Sequence, residues 1–346
     1  MATGAGWVNA QTTEFDELDT PPKPIKQPAP KYPQDELYKN KMGAAVVEFE
    51  VNTDGAVQFP RVVAESESVF GYPAMTAVSK WKFIPGMKNG KPTAARMVVP
   101  IYFTIEPGEA NELIAQIRTI ITGFPPESPD GVPERYRYDT APEPTRFQAP
   151  VWPWINGKPE REGTADVFYV INEKGRVMQA RVVSASSPAF GKAAQAAVEC
   201  WRFTPATLKG KPMPALGRRL IDFYLTLPAD ASERRLVKAI ERGKERYAKA
   251  SDLDAPLKPL SQVAAQYPMA LILDEPSGSA TIECIIDQYG RVCLPRIVSA
   301  SREEFGWAAA TAAAQWRFAP PTVRGDPVDV KVQIPFTFKG RGDATD

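Results

Sequence analysis

The chain has 346 residues, of which 43% are hydrophobic and 24% are charged, and its 42 basic side chains nearly balance its 41 acidic ones. That length is enough for two or three domains, and the charge balance argues against a protein built to bind nucleic-acid phosphates or an anionic membrane. No apolar run reaches the roughly 18–20 residues that a membrane-spanning helix needs. The first residues also lack the basic flank and apolar stretch of a secretory signal. The sequence therefore indicates either a cytoplasmic protein or one whose leader is absent from this sequence.

The residue counts exclude several kinds of active site. The chain contains no histidine, which rules out histidine-based catalytic triads and HExxH metal sites. Its cysteines, Cys200, Cys284 and Cys293, are too few and too dispersed for a structural zinc site. Glycine-rich nucleotide-binding motifs and an evident carboxylate pair are also missing from the sequence. We therefore expect a protein that is not an enzyme and that uses neither a metal nor a cofactor.

In chain order, a polar, proline-rich stretch comes first and a threefold repeat follows. Residues 1–30 have the composition of a flexible extended tail. After it, one pattern recurs around three tryptophans: Phe-Gly lies eleven residues before each, and Phe, Pro and Gly follow at two, four and nine residues. The three anchors are Trp81, Trp201 and Trp316. Spacings of 120 and 115 residues between the anchors indicate three domains.

We call these domains repeat 1 (31–106), repeat 2 (150–228) and repeat 3 (266–340). The segments between them, 107–149 and 229–265, are each predicted to contain a helix and a proline-rich linker, and the second of these helices is basic. Within the segments, the helices are expected over 109–122 and 230–249. Residues 341–346 are expected to form a loose tail.

Each repeat presents the same elements in the same order. In repeat 1, apolar residues alternate along Ala45–Val51, which is typical of a strand with one buried face. The Asp54-Gly55 turn and a return strand to Val63 follow. The apolar residues of Phe70–Trp81 then recur with helical spacing, and a last strand covers Met97–Ile105. The pattern predicts an α+β fold: three tandem small domains, each strand-turn-strand-helix-strand, with the helix packed on one face of a three-stranded antiparallel sheet.

The repeat resembles the C-terminal domain of TonB. In repeat 1 the resemblance is carried by Tyr32-Pro33, Gly43, Asp54-Gly55, Val62-Val63 and Trp81-x-Phe83-x-Pro85. In repeat 2 it is carried by Trp152-Pro153, Gly163, Lys174-Gly175, Val182-Val183 and Trp201-x-Phe203-x-Pro205. In repeat 3 it is carried by Tyr267-Pro268, Gly278, Tyr289-Gly290, Ile297-Val298 and Trp316-x-Phe318-x-Pro320.

The resemblance implies a periplasmic or secreted protein that binds other proteins. TonB links inner-membrane motor proteins to outer-membrane receptors, and its terminal domain captures a receptor segment as an added strand. This sequence shows neither the N-terminal anchor nor the long proline-rich rod of a transducer, and it has three domains where a transducer usually has one. Our first hypothesis is a scaffold protein that captures extended segments of envelope or outer-membrane proteins by strand addition. The alternatives are a rigid structural subunit of an envelope assembly, or the soluble part of a TonB-type transducer that has lost its anchor.

Strand addition would take place at the edge of each small sheet, where main-chain groups lack partners. The last strand of each repeat is the candidate edge. Its candidate peptide-binding residues are Val99, Ile101, Phe103, Ile221, Phe223, Leu225, Val332, Ile334 and Phe336. The three edges are not equivalent, because Leu220 stands where repeats 1 and 3 have Pro100 and Pro335. The alternative is that these strands pair with one another or with a linker.

Two further features of the return strands allow two interpretations each. Arg61, Arg181 and Arg296 either lay their stems over apolar surface or bind a carboxylate of a peptide. For Cys284 and Cys293, a four-residue loop Asp287–Gly290 would place the two directly opposite each other and permit a disulfide. A two-residue turn would misalign them.

Overall fold

The computed structural model describes residues 18–39, 41–103, 123–124, 128, 130–160, 162–224, 231–274 and 276–340. The chain divides into two compact units, one of which contains repeats 1 and 2 apart from residues 156–158. The other contains the chain from Arg235 through repeat 3. The helix predicted for residues 109–122 lies outside the described residues, whereas the one predicted for 230–249 is shorter, at Ala231–Glu241.

The secondary structure recurs from repeat to repeat, beginning in each case with a short strand that precedes the repeat as defined from the sequence. Repeat 1 and the segment before it contain β1 (Lys23–Lys26), α1 (Gln34–Tyr38), β2 (Gly43–Val51), β3 (Val57–Glu65), α2 (Ser68–Val78), β4 (Lys82–Ile84), β5 (Gly86–Lys88), β6 (Lys91–Thr93) and β7 (Ala95–Phe103). Repeat 2 and the segment before it contain β8 (Glu143–Arg146), β9 (Trp154–Ile155), β10 (Lys158–Pro159), β11 (Glu162–Ile171), β12 (Val177–Ala185), α3 (Pro188–Glu199), β13 (Arg202–Thr204), β14 (Ala206–Leu208), β15 (Lys211–Met213) and β16 (Ala215–Tyr224). Helix α4 (Ala231–Glu241) then precedes β17 (Pro259–Ser261), β18 (Gly278–Ile286), β19 (Val292–Ala300), α5 (Glu303–Ala313), β20 (Arg317–Phe318), β21 (Thr322–Val323), β22 (Asp326–Pro327) and β23 (Val330–Phe338). Single 3-10 turns occur at Glu134–Tyr136, Ala250–Asp252 and Met269–Leu271.

The long strands of each repeat form a three-stranded antiparallel sheet. The first long strand is central, and the orders are β3-β2-β7, β12-β11-β16 and β19-β18-β23. Helices α2, α3 and α5 each pack against the central and return strands of their own sheet. Phe70, Ala74 and Val78 of α2 are fully buried there, because residues spaced at three to four positions share one helix face. The α+β class predicted from the sequence is confirmed.

The segments before the repeats are integral parts of the fold. We call residues 18–30, 138–149 and 253–265 arms 1, 2 and 3. In each arm a short strand pairs antiparallel with the strand that follows the repeat's tryptophan: β1 with β4, β8 with β13 and β17 with β20. The sequence predicted a flexible tail for residues 1–30 and linkers for the other two arms. From residue 18, where the described chain begins, the structure differs because each of these proline-containing strands satisfies its main-chain groups against the following repeat.

An aspartate in each arm fixes a turn of the repeat. Asp139 Oδ2 accepts a 2.7 Å hydrogen bond from the main-chain N–H of Lys209, and Asp254 Oδ1 accepts an equal one from Arg324. Asp19 accepts the corresponding bond from Asn89. Each donor residue has a positive φ of about 50°, a conformation that is unfavourable for residues other than glycine. The carboxylate therefore stabilises a strained turn from outside the hairpin.

Candidate binding edges of the three sheets

The last long strand of each repeat lies at the edge of its sheet. Strand β16 pairs with β11 over its whole length, from Ala215 opposite Ile171 to Tyr224 opposite Glu162. On the other side of β11, Thr164 exchanges hydrogen bonds with Ser186, which follows β12. Because main-chain groups alternate in direction along a strand, those of Asp166 also point towards β12. Its neighbour in β16, Leu220, therefore directs its main-chain N–H and C=O away from β11, to the side on which β16 has no strand partner among the described residues.

Most of the side chains predicted to bind a peptide point into the core and do not face a partner. Ile101, Phe103, Ile221, Phe223, Ile334 and Phe336 are all buried, at 2–8% exposure. Val99 and Val332 are half-buried, and Leu225 lies outside the described residues. The described side chains of this set belong to the helix-facing cores, so the edge offers a partner its main-chain groups and the side chains of the alternate residues.

Repeat 2 has the most open arrangement of main-chain donors at this edge. Pro100 pairs with Val46 and Pro335 with Thr281, the positions that correspond to Leu220 and Asp166. A proline supplies no N–H, so the edges of repeats 1 and 3 lack a donor at the point where Leu220 has one. The Leu220 side chain is 59% exposed.

Other segments of the chain lie against parts of these edges. The N–H of Ala248 donates a 2.9 Å hydrogen bond to the carbonyl of Asp329, and Ala248 forms a parallel bridge with Val330 at the start of β23. The ammonium group of Lys331 lies 4.7 Å from the ring centre of Tyr247. In repeat 1, β7 is in contact with β8 of arm 2. In repeat 2, Gly123 lies so close to the Arg218 carbonyl that a Cβ added to it would be 2.9 Å from that oxygen.

Two of the three return-strand arginines have carboxylates of the chain itself as partners. Arg61 Nε donates a 2.6 Å hydrogen bond to Oε2 of Glu48, which is buried. Arg96 Nε lies 3.2 Å from the other oxygen of Glu48. Burial lowers the pKa of Arg96, and the charge of Glu48 opposes that shift.

Repeat 3 has the equivalent pair, and repeat 2 does not. Arg296 Nη2 donates a 2.7 Å hydrogen bond to Glu283 Oε1. In repeat 2 the residue opposite Arg181 is Phe168, so the carboxylate is missing. Arg181 is exposed, and the interpretation that it meets a carboxylate of a peptide remains a prediction.

The cysteine pairing predicted from a four-residue loop differs from the structure. The side chain of Asp287 accepts hydrogen bonds from the N–H groups of Tyr289 and Arg291, which gives a five-residue loop from Asp287 to Arg291. Ile286 consequently pairs with Val292, and Cys293 stands opposite Ile285. Cys284 is therefore not directly opposite Cys293, and the two buried cysteines are not joined by a disulfide.

Sequence reasoning missed an arginine of repeat 2 whose guanidinium packs against aromatic rings. Arg219 stands where repeats 1 and 3 have Val99 and Ile334, and its guanidinium lies 4.9 Å from the Phe147 ring centre and 5.4 Å from that of Trp201. Burial lowers the pKa of Arg219 to about 10. The break in the apolar pattern of β16 was the available signal. In the described part of the chain, no group of acidic or cysteine side chains could hold a metal ion, and no helix has the length and apolar character to cross a membrane.

Comparison with known proteins finds a protein family and a solved structure to which this chain is similar. The model of the family described as "Gram-negative bacterial TonB protein C-terminal" matches residues 28–105, 148–225 and 263–339. Among solved structures, the chain is similar to the solution NMR structure of the Pseudomonas aeruginosa TonB CTD, at 25% identity over 27% of this chain and 94% of that one, with a TM-score of 0.23. No curated protein matches the chain.

Proposed function

The chain belongs to the family of Gram-negative bacterial TonB protein C-terminal domains, and we propose from this that it is a periplasmic, non-enzymatic protein that binds extended segments of partner proteins by strand addition. Envelope or outer-membrane proteins are the partners this family context favours. The observation that carries the proposal is the open edge of β16, where Leu220 directs a main-chain N–H away from its own sheet.

An extended segment placed beside β16 would become the fourth strand of the repeat 2 sheet. Its main chain would pair with Leu220 and Asp222, and its alternate side chains would lie beside those of Arg218 and Leu220 on the sheet face away from α3. Arg218 already forms a bidentate ion pair with Asp166, with its shortest contact at 2.6 Å. Apolar contact with the exposed Leu220 side chain would therefore provide most of the side-chain selectivity.

The positions of the prolines indicate which repeat would bind an extended segment most tightly. A segment added to β7 or β23 would meet Pro100 or Pro335 and lose one main-chain hydrogen bond, which is worth about 0.5–1.5 kcal/mol. In repeat 3 the segment would also have to displace Ala248 from Asp329. Repeat 2 is thus the principal binding domain.

The test uses the full chain and an extended probe, the peptide acetyl-Thr-Val-Thr-Val-Thr-amide, followed by amide NMR. We expect the probe to shift the amide signals of Leu220 and Asp222 first. Leu220→Pro should weaken its binding about fivefold through the lost donor, whereas the matched variant Leu220→Ala keeps the N–H and should weaken it less. Unchanged β16 amides at millimolar probe would overturn the proposal.

A structural role is the second candidate, and the contacts of Ala248 with β23 and of β8 with β7 favour it. In that role the edges would serve to hold the chain's own segments. Hydrogen exchange separates the two functions, because a structural subunit would protect the edge amides of β7, β16 and β23 alike without any partner. A binding protein would leave those of β16 unprotected until the probe is added.

A further inference from the structure

The opposite edge of the repeat 2 sheet, formed by the return strand β12, also differs from its counterparts. In repeat 1 the pairing passes from Glu48 opposite Arg61 to Glu50 opposite Gln58, so that Phe59 and Pro60 together face one residue of β2. Phe59 has a φ of 50°. Repeat 3 has the same bulge at Leu294-Pro295, again with a φ of 50° at its first residue. A bulge and a proline are the features that prevent an edge strand from pairing with another chain.

Repeat 2 has neither feature at this place. Gln179 and Ala180 occupy the positions of the bulge, and they pair regularly with Val170 and Tyr169. The pairing shifts on either side of this place instead: at Met178, between the pairs that Gln179 and Val177 make, and at Val183, between the pairs that Ser184 and Val182 make. Within the described residues β12 pairs with β11 alone. Thr164 directs its main-chain groups towards β12, so by alternation Tyr169, five residues further on, directs its own away from β12. Ala180 lies opposite Tyr169, and the two therefore form a non-hydrogen-bonded pair. The N–H and C=O of Ala180 consequently point to the open edge.

The side chains of β12 give this edge a positive charge. The side chain of Arg181 is exposed, and its guanidinium makes no hydrogen bond or ion pair with the residues that the structure describes. It lacks the partner that Arg61 and Arg296 have, because Phe168 replaces their glutamate. Met178 and Val183 are also exposed, at 60% and 47%, while β12 itself contains no acidic residue. The edge is thus basic at its centre and apolar near its ends.

We infer that β12 is a second binding edge, which accepts an extended segment of a partner protein carrying a glutamate or aspartate opposite Arg181. In such a pairing the main chain bonds to Ala180, and the residue facing Arg181 falls in a non-hydrogen-bonded pair. The Cα atoms of such a pair are about 4.5 Å apart, and the side chains are at their closest. The incoming carboxylate takes the place of the missing glutamate. A second copy of this chain fits less well, since antiparallel pairing of two β12 strands about Arg181 brings two guanidinium groups together.

The experiment compares two probes on the full chain, acetyl-Thr-Val-Glu-Val-Thr-amide and its lysine counterpart acetyl-Thr-Val-Lys-Val-Thr-amide, by amide NMR at low salt. We expect the glutamate probe to shift the signals of Ala180 and Val182 and to bind about fivefold more tightly than the lysine probe, the effect of about 1 kcal/mol for a cross-strand charge pair. Arg181→Glu should reverse that preference. Ala180→Pro, which installs the residue of repeats 1 and 3, should abolish the shifts at β12.

The controls separate this edge from the one formed by β16. Leu220→Pro should leave the glutamate preference at β12 unchanged, so the two proposals can fail independently. Thermal unfolding of each variant shows whether it folds, and Arg181→Glu provides the test if Ala180→Pro does not. Equal binding of both probes, an unchanged preference in Arg181→Glu, or dimerisation of the chain through β12 in sedimentation would overturn the inference.

Discussion

The indole N–H of Trp201 donates a 2.9 Å hydrogen bond to the main-chain carbonyl of Gln148, fifty-three residues earlier in the chain. Trp81 makes the same bond to Pro28, and Trp316 makes it to Val263, with the same separation. Each tryptophan thus joins an arm to its repeat. The arms are therefore integral parts of the folded repeats.

Weakening this bond should loosen arm 2. Trp201→Phe keeps an aromatic ring in the core but removes the donor, which leaves the Gln148 carbonyl without its partner and reduces the packed volume. We expect a loss of about 1–3 kcal/mol in the free energy of unfolding, together with faster amide exchange in Glu143–Arg146. Urea unfolding and hydrogen exchange measure the two effects. Exchange in arm 2 that is no faster than in the parent would contradict the link.

The arms also show where sequence patterns stop being informative. The threefold repeat, the α+β class and the burial of Trp81, Trp201 and Trp316 at 3–8% exposure follow from long periodic stretches. An arm strand such as Pro259–Ser261 is too short to display a period, and its proline is typical of a linker. The signal lay in the repeat itself, because Asp19, Asp139 and Asp254 stand sixty-two residues before the three tryptophans.

The candidate edges could be predicted as strands but not as surfaces. Period-2 alternation identifies Ile221 and Phe223 as one face of β16, and that face proves to be the buried one. The main-chain direction of Leu220 depends on how the central strand bonds to its neighbours, which no local pattern encodes. For the same reason the bulge at Phe59-Pro60 and its absence at Ala180 become apparent only in the pairing register.

Repeat 1 should lose stability as the pH rises, because of Glu65. Burial raises the pKa of Glu65 to about 7 from its ordinary value of 4.5, and the main-chain N–H of Gly71 offsets only part of that rise. Its counterparts in the other repeats are Ala185 and Ala300. A carboxyl group with a raised pKa binds its proton more tightly when folded. Glu65 therefore contributes favourably to the free energy of unfolding below about pH 4.5, and that contribution is lost as the pH rises through 7.

The measurement compares the parent with Glu65→Gln by denaturant unfolding between pH 4.5 and 8. The parent should lose at most about 3 kcal/mol over this range relative to the variant. Glu67→Gln is the matched control, because Glu67 is exposed and forms a surface ion pair with Lys41. If the two variants have the same pH dependence, Glu65 does not control the stability of repeat 1.

Replacing Arg219 by an apolar residue should stabilise repeat 2. Its Nη1 atom is buried and makes no hydrogen bond within the described residues. A buried charge without full compensation costs more than its ring contacts with Phe147 and Trp201 return. Arg219→Val introduces the residue of repeat 1 and should raise the free energy of unfolding by about 1–2 kcal/mol. As the control, Arg218→Val removes an exposed arginine of the same strand and should lower the free energy of unfolding slightly. If both variants are less stable than the parent, the ring contacts of Arg219 outweigh the cost of burying its charge.

The cysteines should be unreactive in the folded chain and all reduced. Cys200, Cys284 and Cys293 are buried at 8%, 1% and 3% exposure, and burial raises the pKa of Cys284 to about 12. Because the thiolate is the reactive form, an aromatic disulfide reagent at pH 8 should label none of the three within minutes. In guanidinium without reductant it should label three thiols per chain. A count of one would mean that two of the three are joined, and a Cys284–Cys293 bond identified by peptide mapping would overturn the five-residue loop that sets their register.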